Sequence, residues 1–337
     1  MIDRLRWGVL GTARILRRFL PALARSMRSE LAAIASRDPE RARACAARYA
    51  CPRTHASYQA LLDDPAIDAV YIPLPNDQHA AWTVRALRAG KHVLCEKPIA
   101  LSVKEVDEIA EAARASGRHA LEGYVHLHTP QLEALVAALP GIGPLAIVRG
   151  GMSIPIAAPN IRLDPARGGG GLWDVGCYPV SLMVRLIGSR PVSVSATMRR
   201  LSTGVDGALV GHLHFATNAQ EVLGVIDCGL GTPLREHFEI VGARGMIIPQ
   251  SPFRAGIDGS PSSLTMRVDG EELRAIEGSP PDPFAAELDA FERTALDGTP
   301  ARVPLALSRD VTATLVALHE SAASGRSVAL APPVVDR

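Results

Sequence analysis

Short apolar runs alternate with helix-patterned stretches through the first third of the chain. "LRWGVL" (5–10), "LAAIAS" (31–36), "DAVYIP" (68–73) and "KHVLCE" (91–96) read as strands, and "RHALEGY" (118–124) extends the series. The intervals carry helix punctuation. Asp38-Pro39 places a capping carboxylate before a proline at the first helical position, Ser102 with Glu105 forms a capping box, and Gly117 closes that helix. Regular strand–helix alternation predicts a parallel, doubly wound sheet with right-handed crossovers.

Near residue 125 the pattern changes. A glycine-rich helix start, "GGGGLWDVGCYPVSLMVRLIG" (168–188), is followed by strand-like segments near 192–200, 208–216, 220–229, 236–242 and 264–276. Strands in succession without intervening helices predict an antiparallel sheet. Two capped helices, "DPFAAELDAFERTALDG" (282–298) and "SRDVTATLVALHESAASG" (308–325), then close the chain. The expected organisation is a dinucleotide-binding domain over 1–124. A C-terminal α+β domain with an open, mostly antiparallel sheet follows over 125–337, for substrate binding and oligomerisation.

Composition agrees with two soluble domains. The 337 residues exceed what one core usually serves, and 47% hydrophobic with 21% charged residues is ordinary for a globular chain. A formal net charge of +1 without a basic block argues against a nucleic-acid partner, and no apolar run is long enough for a bilayer. The N-terminus does not read as a secretory signal. Five cysteines (Cys45, Cys51, Cys95, Cys177 and Cys228) without C-x-x-C spacing point to reduced thiols and a cytoplasmic location. Among 36 basic side chains only Lys91, Lys97 and Lys104 are lysine. Retaining a lysine in "CEKPIA" (95–100) singles out Lys97, because a buried lysine can titrate where an arginine cannot.

The chemistry-bearing positions gather on one edge. Gly11-Thr12-Ala13-Arg14-Ile15 follows the first strand, where a turn of this kind brings backbone amides to a pyrophosphate at the next helix; an ordinary strand–helix turn is the alternative. Ser36-Arg37 ends the second strand, a hydroxyl and a guanidinium suited to the 2′-phosphate of NADP, with Asp38 assigned to capping; a solvated surface arginine is the alternative for Arg37. Leu74, Asn76 and His79 in "PLPNDQH" (73–79) and Glu96-Lys97-Pro98 fall at the same carboxyl edge; capping is the alternative for Asn76 and His79. In the second domain Asp174 and Tyr178 stand four apart on one helical face, a carboxylate and a phenol able to handle a proton, with Gly176 leaving room for a ligand; a carboxylate favoured by the helix dipole and a half-buried tyrosine are the alternative. The pairs His126/His128 and His212/His214 lack further ligands at metal-binding spacing, so no metal is expected.

These motifs, "GVLGTARI", "ASR", "YIPLPN..H", "GKHVLCEKP" and "NIRLDP…GGGGLWDVGCYP", resemble the glucose–fructose oxidoreductase/inositol dehydrogenase/MocA (Gfo/Idh/MocA) family, nearest its NADP-dependent sugar and dihydrodiol dehydrogenases and sugar 3-ketoreductases. The resemblance implies a Rossmann domain, Lys97 beside the nicotinamide, and Asp174 and Tyr178 as the catalytic pair of the second domain. It also implies a cis peptide before Pro98 and a homodimer or homotetramer built on the open sheet. Departures are Leu127 where arginine is common, Thr129 where histidine often precedes proline, and Leu16 at the third-glycine position. The expected activity is hydride transfer between dissociable NADP(H) and a CH–OH or C=O carbon of a sugar, nucleotide sugar, cyclic polyol or dihydrodiol. Tyr178 and Lys97 share the proton, Asp174 steers Lys97, and Arg162 and His126 contact substrate. The alternative is a non-catalytic NADP-binding sensor or scaffold of the same fold. Retained cofactor is disfavoured because no N-terminal arm is seen to wrap it.

Overall fold

The structure, a computed structural model, describes residues 4–217, 220–271, 274–276 and 282–331. The first part alternates as β1 (Leu5–Leu10), α1 (Leu16–Arg25), β2 (Ser29–Ala35), α2 (Pro39–Arg48), β3 (Thr54–His55), α3 (Tyr58–Leu62), β4 (Ala69–Ile72), α4 (Asn76–Arg88), β5 (His92–Glu96), α5 (Val103–Ser116) and β6 (Ala120–Gly123). All six strands run parallel in the order β3-β2-β1-β4-β5-β6. The order reverses between β1 and β4, so the ligand-binding crevice of such a sheet lies at their carboxyl ends. Asp38 accepts from the amides of Glu40 and Arg41 and opens α2; Ser102 opens α5, and Gly117 closes it at φ 62°. Trp7, Phe19 and Tyr71 are fully buried, with Phe19 and Tyr71 stacked at 3.9 Å.

The chain continues through α6 (Pro130–Ala138), β7 (Leu145–Ile154), α7 (Cys177–Ile187), β8 (Ser193–Arg200), β9 (Asp206–Ala216), β10 (Glu221–Leu230), β11 (Arg235–Gly242), β12 (Gly245–Pro249), β13 (Leu264–Val268), β14 (Arg274–Ile276), α8 (Pro283–Asp297), α9 (Leu305–Ser324) and β15 (Val328–Ala329). Nine strands form one sheet in the order β14-β13-β12-β11-β7-β10-β9-β8-β15. It is mixed, mostly antiparallel: β7 runs parallel to β10, and the remaining pairs are antiparallel. The strands β7, β12 and the two-residue β15 are additions to the sequence reading. In β7 ("LAIVRGGMSI") the glycines mask the strand signal, and they mark close packing: a Cβ on Gly150 would lie 2.4 Å from the Phe238 ring. The segment expected at 264–276 divides into β13 and β14 about Gly270 (φ 83°), and its residues 272–273 lie outside the described residues.

Packing divides the chain into two units. One holds the chain up to His128 together with Phe284–Leu305; the other holds Thr129–Pro283 and the chain from Ala306 on. By packing, the first unit reaches beyond the stretch expected as the dinucleotide-binding domain in two places. The turn Val125–His128 stays with the first sheet, and α8 returns to it. The return has a physical cause. Phe291 packs on Trp7 at 4.7 Å, and Glu292 Oε1 accepts from the hydroxyls of Ser26 and Ser29, each at 2.5 Å. Helical periodicity identifies α8 as a helix but carries no record of which sheet it covers.

Candidate active site

The carboxyl edge of the first sheet is built by residues that must turn tightly. Gly11 has φ 95°, a region that favours glycine, and its amide donates to Ala35 O at 2.7 Å. Thr12, Ala13, Arg14 and Ile15 lead into α1, whose first turn holds no acid and whose N-cap residue, Ile15, makes no side-chain cap. No acidic or capping side chain therefore offsets the positive helix end, a setting that favours an anion. Beside this turn opens a groove of about 500 Å³ lined by Thr12, Ala13, Arg14, Arg17, Arg41 and Arg48. Leu16, at the departing third-glycine position, is buried (2% exposed) and borders this groove.

At the end of β2, Ser36 is buried and its hydroxyl accepts from the Asp38 amide at 3.2 Å, while Arg37 is exposed. Asp38 spends Oδ1 on the amides of Glu40 and Arg41 at 2.9 and 3.1 Å, as capping requires. The ends of β1 and β2 thus present guanidinium groups, with the nearest carboxylate engaged at a helix cap. This donor set fits a phosphorylated dinucleotide, and NADP(H) in particular. Arg41, in the first turn of α2, is not among the residues singled out from the sequence; it enters through the groove it lines.

Around Lys97 the first unit supplies a dense polar support. The Lys97–Pro98 peptide is cis, as the resemblance implies. Leu74 is nearly buried, and the N-cap of α4 is Pro75, without a side-chain cap, so capping does not account for Asn76 or His79. Nδ1 and Nε2 of His79 lie 2.7 Å from the carbonyl oxygens of Pro98 and Leu74. The ring is 1% exposed, so the residue expected at the cofactor lies beneath the edge and ties the loop after β4 to the turn bearing Lys97. Burial draws its pKa down, against the upward pull of the two carbonyls. Glu96 accepts from the Tyr71 hydroxyl at 2.5 Å; burial, then Glu96, holds Tyr71 well above its ordinary pKa, so it remains a donor. Glu287 of α8 is fully buried with neither carboxylate oxygen hydrogen-bonded among the described residues, and burial followed by Glu96 raises its pKa well above the ordinary carboxyl value. His126 is buried edge-to-face against Tyr124 at 5.6 Å; burial first, then His128 and Lys97, lowers its pKa to about 3. It is a neutral imidazole at physiological pH.

In the second unit, Asp174 belongs to a π-helical turn, Leu172–Gly176, that runs directly into α7, where Tyr178 is the second residue. The sequence reading assumed a continuous α-helix here; π turns recur at functional sites. Asp174 is 8% exposed, and its Oδ2 accepts from Arg162 Nε at 2.6 Å. Arg162, expected at substrate oxygens, thus meets Asp174, from a short turn (Ile161–Leu163) opened by Asn160. Tyr178 is half-buried with its ring 5.8 Å from Phe253. Gly176 does not open space for a ligand. A Cβ there would meet Leu172 Cδ1 at 2.9 Å and Cys228 Sγ at 3.0 Å, so the glycine serves packing of the turn on β10. No cluster of three or more His, Cys, Asp or Glu suited to a metal occurs among the described residues.

Two family models match the chain: an oxidoreductase family with an NAD-binding Rossmann fold over residues 5–124, and the GFO/IDH/MocA C-terminal domain over residues 140–248. The chain is 33% identical over 328 residues to D-xylose 1-dehydrogenase (NADP(+)) 2 of Haloferax volcanii, covering 96% of this chain and 99% of that protein. It is 36% identical over 303 residues to dTDP-3,4-didehydro-2,6-dideoxy-alpha-D-glucose 3-reductase of Streptomyces violaceoruber, covering 86% and 85% respectively. Among solved structures, a 3-ketoreductase from Actinomadura kijaniata in complex with NADP and TDP-benzene matches with a TM-score of 0.85 and 29% identity, over 95% of this chain and 98% of that one. Matched in both its nucleotide-binding and its C-terminal parts, the chain belongs to the Gfo/Idh/MocA oxidoreductase family.

Proposed function

We propose that the protein is an NADP(H)-dependent oxidoreductase acting on a CH–OH or C=O carbon of a sugar, nucleotide sugar, cyclic polyol or dihydrodiol. The observation that carries the cofactor assignment is the arginine-lined groove beside the Gly11 turn, with Asp38 committed to its cap. When bound, NADP(H) supplies or accepts the hydride. The chain's own residues hold the dinucleotide, orient the reacting carbon and move one proton. The Gly11–Ile15 backbone and the α1 N-terminus receive the pyrophosphate, and Ser36, Arg37 and Arg41 receive the 2′-phosphate. Leu74 and Asn76 border the nicotinamide end, and His79 sets the Lys97 turn from below. Tyr178 Oη and Lys97 Nζ carry the proton. Asp174, fixed through Arg162, orients the hydroxyl of the substrate carbon, and neutral His126 offers a hydrogen bond without a competing charge.

We further propose that copies associate through the outer face of the nine-stranded sheet, where Val210 and Leu223 are 50% and 56% exposed on the adjacent strands β9 and β10. The activity is tested by a panel of sugars, nucleotide sugars, polyols and dihydrodiols, followed at the NADPH absorbance in both directions with NADH as control. At least one substrate is expected to turn over with NADPH preferred, and Arg37→Ala is expected to reduce that preference roughly 10-fold or more, the value of a charge-assisted hydrogen bond. Stoichiometric NADPH binding with no turnover on any substrate would contradict the reading.

A further inference from the structure

We infer that Asp206 is a positioning residue for the Asp174–Tyr178 pair, acting by fixing the origin of the π turn that carries it. This rests on the function proposed above. Asp206 opens β9 and is 1% exposed. Its Oδ2 accepts from the Leu172 amide at 2.6 Å, the first amide of the turn. Its Oδ1 points at Gly170 so closely that a Cβ there would lie 2.1 Å away, and Gly170 adopts φ 124°, open only to glycine. A Cβ on Gly171 would also stand 3.3 Å from both the Asp206 carbonyl and Oδ2. Gly170 and Gly171 are thus shaped around this carboxylate, while Gly169 makes room for the carbonyls of Arg162 and Asp164.

From Gly170 the fixing passes to the reacting groups. Gly170 O accepts from the Asp174 amide at 3.1 Å, and the Gly170 amide donates to Arg162 O at 3.0 Å. Arg162 in turn donates Nε to Asp174 Oδ2. Asp206 therefore clamps the point at which the Arg162 loop, Asp174 and the helix carrying Tyr178 meet, on the rigid rim of the sheet. A serine or threonine could cap the same amide without a buried charge. A carboxylate adds a charge-assisted bond at the positive end of a helix, where it resists displacement. Burial raises the pKa of Asp206, and the Leu172 amide opposes that shift.

The test measures kcat, KM and the NADPH dissociation constant for Asp206→Ala and Asp206→Asn, with amide hydrogen exchange over 168–180. In Asp206→Ala, kcat is expected to fall roughly 10- to 100-fold, as misplaced catalytic groups do. NADPH affinity is expected to stay within about twofold, and exchange to accelerate over 168–180 but not in β1–β6. Asp206→Asn, which keeps an acceptor for the Leu172 amide, is expected to recover at least part of the lost kcat. Unchanged kcat in Asp206→Ala, or equal loss of kcat, NADPH binding and exchange protection throughout, would overturn the inference. If Asp206→Ala does not fold, Gly170→Ala carries the same test by driving a methyl group against Oδ1. Failure of the underlying function is distinguishable, because wild-type protein would then show no turnover while the exchange comparison still reports on the clamp.

Discussion

Lys97 illustrates how a compositional oddity becomes chemical. Its neighbours in the chain are both held from below: Glu96 by the Tyr71 hydroxyl, and Pro98 by His79. Nothing in the sequence announces Tyr71 as a support, because a tyrosine in an apolar strand reads as core. His79 was visible as a polar residue near the edge, yet its role depends on a carbonyl 19 residues away in the chain, which spacing cannot supply. Gly176 shows the opposite error. Its small size was read as room for a ligand, whereas the space is already filled by Leu172 and Cys228. A glycine in a sequence states that something approaches closely; only the fold says what.

At the scale of elements, α8 is the piece whose placement most needs testing, since it joins the first sheet from far along the chain. Glu292→Ala should remove the shared acceptor of Ser26 and Ser29 and lower stability by about 1–3 kcal/mol. Urea unfolding followed by tryptophan fluorescence is the measurement, because Trp7, one of three tryptophans, donates Nε1 to the same Ser29 hydroxyl at 2.9 Å. An unchanged midpoint would mean that α8 does not anchor there. Five of the six strands of the first sheet and its caps at Asp38, Ser102 and Gly117 are readable from period and punctuation alone; the two-residue edge strand β3 is too short to carry a pattern. The second sheet was only partly readable. Its regular antiparallel strands alternate, but β7 hides behind consecutive glycines, and its parallel pairing with β10 is a tertiary choice. The candidate site was readable as residue types on an edge and a helix face. The π turn, the Arg162–Asp174 pair and the Asp206 clamp depend on contacts that no local pattern encodes.

Across the whole molecule, buried histidines should govern the acid side of the stability curve. Burial lowers His126 and His128 to about 3 and His92 to about 4, each from an ordinary 6.5. The fold therefore holds these rings neutral while the unfolded chain protonates them below about pH 6.5, so their contribution is lost as pH falls. Buried Glu287, whose pKa burial and Glu96 raise well above its ordinary value, acts in the opposite sense as pH rises above the ordinary carboxyl range. The histidine part is isolated by comparing wild type with His128→Gln, since both His128 nitrogens lack hydrogen bonds among the described residues. Between about pH 4.5 and 6 the variant should lose stability less steeply, by about one proton or ~1.4 kcal/mol per pH unit. Equal slopes would show that His128 is hydrated.

The central claim is that Lys97 and Tyr178 move the proton that accompanies hydride transfer. It is tested most directly by single-turnover rates of Lys97→Met and Tyr178→Phe on whichever substrate the panel identifies, with NADPH affinity measured alongside. The account predicts rates lower by roughly 10²–10⁴ in each variant, the usual contribution of general acid–base groups, with NADPH still bound. Wild-type rates in both variants on a competent substrate would contradict it.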